Sequence, residues 1–363
     1  MNPREISDFL EEDVIGQSEA LRFVSVAIFK HLRGERFGNL ILIGNSGTGK
    51  TTIMRSMERL YEEHEDFHQY RVVIIMNANT FATDEGVIDT RALFENLEER
   101  SRRILGENAA PEDIARHMEH ATVCLDEIDK VSGVVGGKPY VTGINIQQAL
   151  LTMIEGERVV WPIRRPDGSE YRADINTGKM LFLCAGAFET LYDQVFKRVT
   201  SPTSRVKLPT ETVVFDGEVK IREYFTLRHH FKLEDLFDYG MQPQFLSRFD
   251  NSIILEDLDA EKLALIFTGP EDSVFKLSQK FFQKIGIELE ITEEAARRVA
   301  LAAAEERRIG ARALKEVWGR IVKPFEYAPE TQPEVQPHGE GRRLVIDETV
   351  VMEALKSPIA TLI

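Results

Sequence analysis

The octet Gly44-Asn45-Ser46-Gly47-Thr48-Gly49-Lys50-Thr51 constrains this chain more than any other feature. It fits GxxxxGK[ST] at every fixed position. A short apolar run, Asn39-Leu40-Ile41-Leu42-Ile43, enters it, and the charged, helix-favouring stretch TTIMRSMERLYEEHED leaves it. Strand, glycine-rich loop and helix, in that order, are what a phosphate-binding loop needs. The glycines let backbone amides curl around an anion, Lys50 supplies a cation, and the Thr51 hydroxyl can ligate magnesium. The helix that follows aims its positive end at the same anion. The loop residues Asn45, Ser46, Gly47, Thr48, Gly49, Lys50, Thr51 and Thr52 are therefore expected to bind a nucleoside triphosphate, with ATP and Mg2+ as the cofactors.

A second element, Val123-Cys124-Leu125-Asp126-Glu127-Ile128-Asp129-Lys130, is an apolar strand ending in adjacent carboxylates. Acidic pairs at strand ends are usually only solvated. Downstream of a phosphate loop they acquire a purpose, because hydrolysis needs one carboxylate in the magnesium shell and another to orient the attacking water. Asp126 takes the metal role with Thr51, and Glu127 the catalytic one. Alternation of side chains along a strand predicts that the two point to opposite faces.

Further unbroken apolar runs, Val72-Val73-Ile74-Ile75-Met76 and Met180-Leu181-Phe182-Leu183-Cys184, alternate with helical stretches. Leu21, Val24, Ile28 and Leu32 mark one amphipathic helix. The pattern predicts an α/β fold with a parallel sheet between helices. After Ile253-Ile254-Leu255-Glu256 the texture becomes helical, with short strands near IELEI and RRLVI. Two domains are expected: residues 1–256 as a large nucleotide-binding domain and 257–363 as a smaller helical lid. The proline- and glycine-rich segment 329–342 reads as a loop.

With 43% hydrophobic and 29% charged residues, the composition is that of a soluble globular chain, without a membrane segment. The N-terminal residues have neither a secretory nor a transit character, so a cytoplasmic location is expected. A formal net charge of -15 disfavours nucleic acid as a partner. Cys124 and Cys184 lie in apolar runs and read as small core residues rather than ligands or a disulfide.

The ordered motifs resemble those of the AAA+ ATPases of the Clp group, most closely its ClpX-type unfoldases and more distantly the HslU type. Besides the loop and the acidic pair, Asp13-Val14-Ile15-Gly16-Gln17 resembles the family's VIGQ box. Ile146 to Gly156 is similar to its QQALLKLIEG helix, and Met180 to Phe188 to its ILFICGGAF strand. Gln242 to Phe249 resembles its PEFIGR box, and Gly310-Ala311-Arg312 its GAR signature. The resemblance implies that Val14 and Ile15 pack on the adenine. It also implies that Arg248 is an arginine finger reaching a neighbour's nucleotide, and that Arg312 is a sensor touching the phosphates. A homo-oligomer, a hexameric ring acting on a protein client, follows from the same likeness.

Several family features are missing. The VIGQ-like box begins within the first twenty residues, so no zinc-binding domain is expected ahead of the motor, and the interval between the two nucleotide motifs has no room for the HslU insertion. No IGF tripeptide occurs between Phe188 and Leu236, which argues against peptidase docking. Where the family carries an aromatic GYVG pore loop, this chain has ATDEGVID, leaving Val87 and Ile88 as the substrate contacts and Phe81 as core packing. The family's basic RKH loop corresponds to a hairpin with Asp167-Gly168 at its turn and Arg164 and Arg165 near the tip. Cys184-Ala185-Gly186-Ala187 offers no polar sensor at the strand end. The main expectation is an ATP-hydrolysing ring subunit that remodels or unfolds proteins. The alternative is a non-threading switch or assembly factor with one dedicated partner, and a nucleic-acid motor is a third, less supported reading.

Overall fold

A computed structural model describes residues 1–35, 38–83, 86–165, 167–208, 210–215, 218–223, 225–306, 309–339 and 341–356. It divides into two compact units. The first comprises Met1–Glu11, Ser18–Gly44 and Lys50–Leu255, and the second Glu12–Gln17, Asn45–Gly49 and Glu256–Ile363.

In chain order the first unit carries α1 (Pro3–Glu11), α2 (Ser18–Leu32), β1 (Leu40–Ile43), α3 (Lys50–Glu63), β2 (Val73–Asn77), α4 (Arg91–Leu105), α5 (Pro111–Glu119) and β3 (Thr122–Asp126). A two-residue ladder, β4 (Val134–Val135) with β5 (Lys138–Pro139), precedes α6 (Val141–Gly156) and the hairpin β6 (Arg158–Arg164) and β7 (Glu170–Asn176). Then come β8 (Leu181–Gly186), α7 (Glu189–Thr200), a second hairpin of β9 (Thr210–Phe215) and β10 (Glu218–Glu223), α8 (Leu227–His230), α9 (Leu233–Tyr239), α10 (Pro243–Leu246) and β11 (Asn251–Ile254).

Five of these strands form one parallel sheet in the order β11-β1-β8-β3-β2. The apolar runs make this possible: β1 and β8 are buried along their whole length, as strands covered on both faces must be. All five strands run parallel, so helices serve as crossovers even between β2 and β3, which are consecutive in the chain, and the C-terminal ends of the strands open on one edge, where α/β sheets bind ligands. Phe81, Phe94, Phe182, Phe188 and Phe245 fill the core against these strands. Cys124 and Cys184 are fully buried there, where desolvation pushes both thiols well above their ordinary pKa and suits them to packing rather than reactivity.

The second unit holds α11 (Ala260–Thr268), α12 (Val274–Lys284), β12 (Ile287–Ile291), α13 (Glu293–Glu305), α14 (Arg312–Tyr327), β13 (Val335–His338), β14 (Gly341–Ile346) and α15 (Glu348–Lys356). Asp259, Ser273 and Thr292 accept hydrogen bonds from the first turns of α11, α12 and α13, fixing where each helix begins. Trp318 is the hub of the core, edge-on to Phe267 and Phe275, with its indole N–H donated to Ser278 Oγ at 2.8 Å. The segment expected to be a loop is a correction: β13 pairs antiparallel with β14, which runs parallel to β12. Proline at 337 is tolerated because β13 is an edge strand.

Candidate nucleotide site

Within the first unit, β1 delivers the chain to Gly44, whose N–H donates to Gly186 O at the end of β8, 3.3 Å away. Lys50 opens α3. Its side chain is buried and Nζ donates to Gly44 O at 2.6 Å. The next residue, Thr51, donates its hydroxyl to Asp126 Oδ2 at 2.9 Å, across to the end of β3. Thr52 is exposed. The sequence-predicted lysine, threonine and first carboxylate are therefore together.

Glu127 departs from the expected alternation. The strand ends at Asp126, and Glu127 adopts a left-handed conformation with φ 56° and ψ 35°, its N–H donated to Asp126 Oδ1 at 2.8 Å. The chain kinks there instead of continuing the pleat, so the carboxylate of Glu127 is exposed and reaches solvent at the sheet edge. Phe188, just past the end of the neighbouring β8, is left-handed too (φ 50°). Such conformations cost about 1–2 kcal/mol for a residue with a Cβ and persist only where surroundings enforce them. Asp129 ties these two strand ends together: it is 4% exposed and accepts the Ala187 N–H at 3.2 Å. Gly186 leaves it space, since a Cβ there would lie 2.7 Å from Asp129 Oδ1. A carboxylate from the β3 end thus occupies the β8 end, where the sequence offers no polar sensor.

Within the second unit, Asn45–Gly49 forms the rest of the loop. Gly47 has φ +74° and Gly49 φ +101°, conformations that favour glycine. The turn Ile309–Arg312 braces it: Ala311 N–H donates to Gly47 O at 3.1 Å, and Arg312 heads α14 with its side chain exposed. Val14 is buried, with Cγ1 3.9 Å from where a Cβ on Gly49 would stand, and Ile15 is half-buried beside it. Asn45 Nδ2 donates to Asp257 Oδ1 at 3.2 Å.

Gln17, which sequence reasoning quoted but assigned no role, pins this region. It is 1% exposed, donates to Thr48 O at 3.0 Å and Glu256 O at 2.9 Å, and accepts from Glu256 N–H at 2.9 Å. A lone glutamine inside an apolar box was the available signal, because a buried amide must find backbone partners.

A buried ammonium at a loop rich in positive-φ glycines fits a chain of phosphates. A hydroxyl hydrogen-bonded to a carboxylate fits the oxygen shell of magnesium. ATP with Mg2+ matches this donor set.

The remaining predicted residues lie elsewhere. Arg248 follows α10, is exposed, and pairs with Glu155 in the last turn of α6. Val87 is 59% exposed, whereas Ile88 is half-buried and packs on the core, bridging Ala82. Phe81 is fully buried. The predicted basic hairpin is β6 and β7, in which Arg164 stands opposite Glu170. It is fastened to α4: Trp161 stacks on Phe94 at 5.6 Å and donates to Glu98 Oε2 at 2.8 Å, while Arg102 donates to Arg164 O at 2.7 Å. Arg165 lies 5.5 Å from the Tyr171 ring centroid and 3.9 Å from Glu112. Among the described residues, no helix is long and apolar enough to cross a membrane.

Comparison with known proteins agrees with this geometry. Residues 35–252 match the model of the AAA domain (Cdc48 subfamily). The chain is 29% identical to the ATP-dependent Clp protease ATP-binding subunit ClpX of Bacteroides thetaiotaomicron, covering 92% of this chain and 78% of that protein. It is 29% identical to ClpX 2 of Wolinella succinogenes, over 92% and 79%, and 28% identical to ClpX of Porphyromonas gingivalis, over 95% and 80%. A parallel sheet with a glycine-rich loop after β1 and an acidic pair at the end of β3, matched by that model over most of the chain, makes this chain a member of the AAA domain family and a ClpX-like ATPase.

Proposed function

We propose that the chain works as a cytoplasmic hexameric ring subunit that spends ATP hydrolysis on remodelling or unfolding protein clients. The observation that carries this is the Thr51–Asp126 contact, with Glu127 next in the chain and kinked out of the strand. Magnesium bound with ATP supplies neutralisation of the phosphate oxygens. Thr51 and Asp126 hold that ion, Lys50 holds the terminal phosphates, and Glu127 orients the water and accepts its proton. Val14 and Ile15 pack on the base, and Asn45 to Thr52 line the phosphates. Arg312 approaches the phosphates from the head of α14, and Arg248 exchanges Glu155 for a neighbour's nucleotide. A planar, permanently charged guanidinium suits both tasks. The large domain is residues 1–256 and the lid 257–363.

The test separates binding from turnover. Lys50→Ala should abolish ATP binding, while Glu127→Gln should bind ATP, lose about 100-fold or more in kcat and retain its client in a pull-down. Equal loss of binding in both variants would refute the roles.

One observation favours the non-threading alternative. Ile88 is half-buried against the core, so of the two expected apolar grips only Val87 is largely exposed. A valine buries far less area than an aromatic ring, and the stroke should slip on a mechanically stable client. Val87→Tyr should raise the unfolding rate of a tagged fluorescent client without changing ATPase activity. Robust unfolding by the natural chain, indifferent to Val87, would move the grip to Arg164 and Arg165. Neither peptidase docking nor nucleic acid is part of this reading, for want of an IGF tripeptide and in view of the acidic charge.

A further inference from the structure

We propose that Gln147 is a positioning residue that couples the strand end carrying Glu127 to the segment carrying Arg248. The inference rests on the roles assigned to those two residues above.

Gln147 lies in α6 and is fully buried. Its Nε2 donates to Val131 O at 2.8 Å and to Gly240 O at 3.2 Å, and its Oε1 accepts the Gln242 N–H at 2.7 Å. Val131 closes the 3-10 turn Ile128–Val131, which Glu127 caps, with Lys130 N–H donated to Glu127 O at 2.9 Å. Gln242 caps α10, and Arg248 lies two residues beyond its last residue, its N–H donated to Phe245 O at 3.1 Å. One side chain therefore holds the backbone on both sides: the turn behind the water-orienting carboxylate, and the start of the segment that ends in the finger.

The packing leaves no slack around this amide. Gly133 N–H donates to Gly240 O at 2.8 Å and Ser132 Oγ to Tyr239 O at 2.8 Å. A Cβ on Gly240 would stand 2.4 Å from Ser132 Oγ, and one on Gly143 in α6 2.3 Å from Ser132 O. Helix α6, the turn 128–132 and the segment 239–242 are thus pressed together at positions where only glycine fits. Close-packed contacts of this kind transmit a displacement instead of absorbing it. Glu127 serves the subunit's own nucleotide and Arg248 a neighbour's, so the amide makes the geometry of each site depend on the other.

A merely structural amide would lower stability without respecting which site is read, so the test uses mixed rings. The reference mixture is Arg248→Ala subunits with Lys50→Ala subunits, in which intact fingers on dead subunits restore hydrolysis in fingerless ones. Gln147→Met keeps length and volume while removing all three hydrogen bonds, and is added first to the Lys50→Ala donor, then to the Arg248→Ala acceptor. Each arm should restore at most about one tenth of the reference rate, with KM for ATP within about threefold, in rings whose assembly and melting are checked alongside. Reference-level restoration in either arm overturns the coupling. Absence of restoration in the reference mixture itself would instead condemn the role of Arg248, and the inference with it. Should Gln147→Met fail to fold, Gln242→Pro removes the N–H that Oε1 accepts, at a φ of -69° that proline already has, with Gln242→Ala as the control for loss of the side chain alone. In the donor arm the same loss is expected, and full restoration overturns the proposal.

Discussion

Two glycines in the second unit should respond to alanine with opposite signs. Gly310 has φ +56°, and a Cβ there would meet Ser46 O at 2.7 Å and Gly47 O at 2.9 Å. The conformation alone costs an L-residue about 1–2 kcal/mol. Both oxygens belong to backbone, so the clash is relieved only by parting the turn from the loop, which forfeits the Ala311–Gly47 hydrogen bond, worth about 1 kcal/mol net. Gly310→Ala should therefore weaken this contact by about 2–3 kcal/mol. If the loop must keep its present shape to cradle phosphates, the apparent Kd for ATP should rise by at least about tenfold. Gly319 sits inside α14, where the nearest atom to a new Cβ is Lys323 Cε at 3.8 Å, the far end of a flexible side chain. Gly319→Ala should stabilise by about 0.5–1 kcal/mol, raise Tm by a few degrees and leave ATP binding alone. Binding of a fluorescent ATP analogue and thermal unfolding, measured on both variants, decide the matter. Unchanged affinity in Gly310→Ala would show that the turn does not support the loop.

His31 is buried, and desolvation, aided by His120 and opposed by its hydrogen bond to Lys179 O, lowers its pKa from 6.5 to about 4. The fold thus favours the neutral ring: this contribution is complete above pH 6.5 and is lost as pH falls from 6.5 towards 4, about 3 kcal/mol in all. Denaturant titrations across that window should show the slope in the natural chain and lose it in His31→Gln; identical slopes would refute the assignment. Arg198 holds the nearly buried Asp235 with two contacts of 2.8 Å, so Arg198→Met should cost about 3 kcal/mol, whereas Arg158→Ala, at an exposed pair with Asp174, should change stability by less than about 0.5 kcal/mol. Equal Tm shifts for the two would show that burial does not set the difference.

What the sequence made legible was whatever has a local period or a fixed spacing. Four of the five sheet strands, β1, β2, β3 and β8, were visible as unbroken apolar runs, and Lys50, Thr51 and Asp126 stood out by the fixed spacing of their motifs, whereas the half-buried β11 carries no such run and was not read as a strand. Arg248 and Arg312 came only through family likeness, since an arginine on a surface has no local signature. Two readings failed where a rule of thumb met a specific constraint. Alternation along β3 stops at Asp126 because Glu127 is left-handed. The proline-rich stretch forms β13 because an edge strand needs hydrogen bonds on one side only.

The buried amides were hidden for a different reason. Gln17 and Gln147 each satisfy backbone groups from segments far away in sequence: Gln17 reaches Glu256, and Gln147 reaches Val131, Gly240 and Gln242. Their partners are carbonyls and N–H groups that every residue possesses, so no spacing of side-chain types can reveal them. The only sequence trace is a polar residue standing where an apolar one would pack. Each such residue stabilises its fold less than an apolar core contact would unless all its hydrogen bonds are made, and here they are made, by Gln17 to the glycine-rich loop at Thr48 and by Gln147 to the turn 128–131 and the segment 240–242. The same holds for Asp129, a buried carboxylate that accepts the Ala187 N–H and so ties the end of β3 to the end of β8. In this chain the residues that would touch nucleotide are readable from the sequence, and the residues that hold them in place become readable only once the sheet has brought the strand ends together.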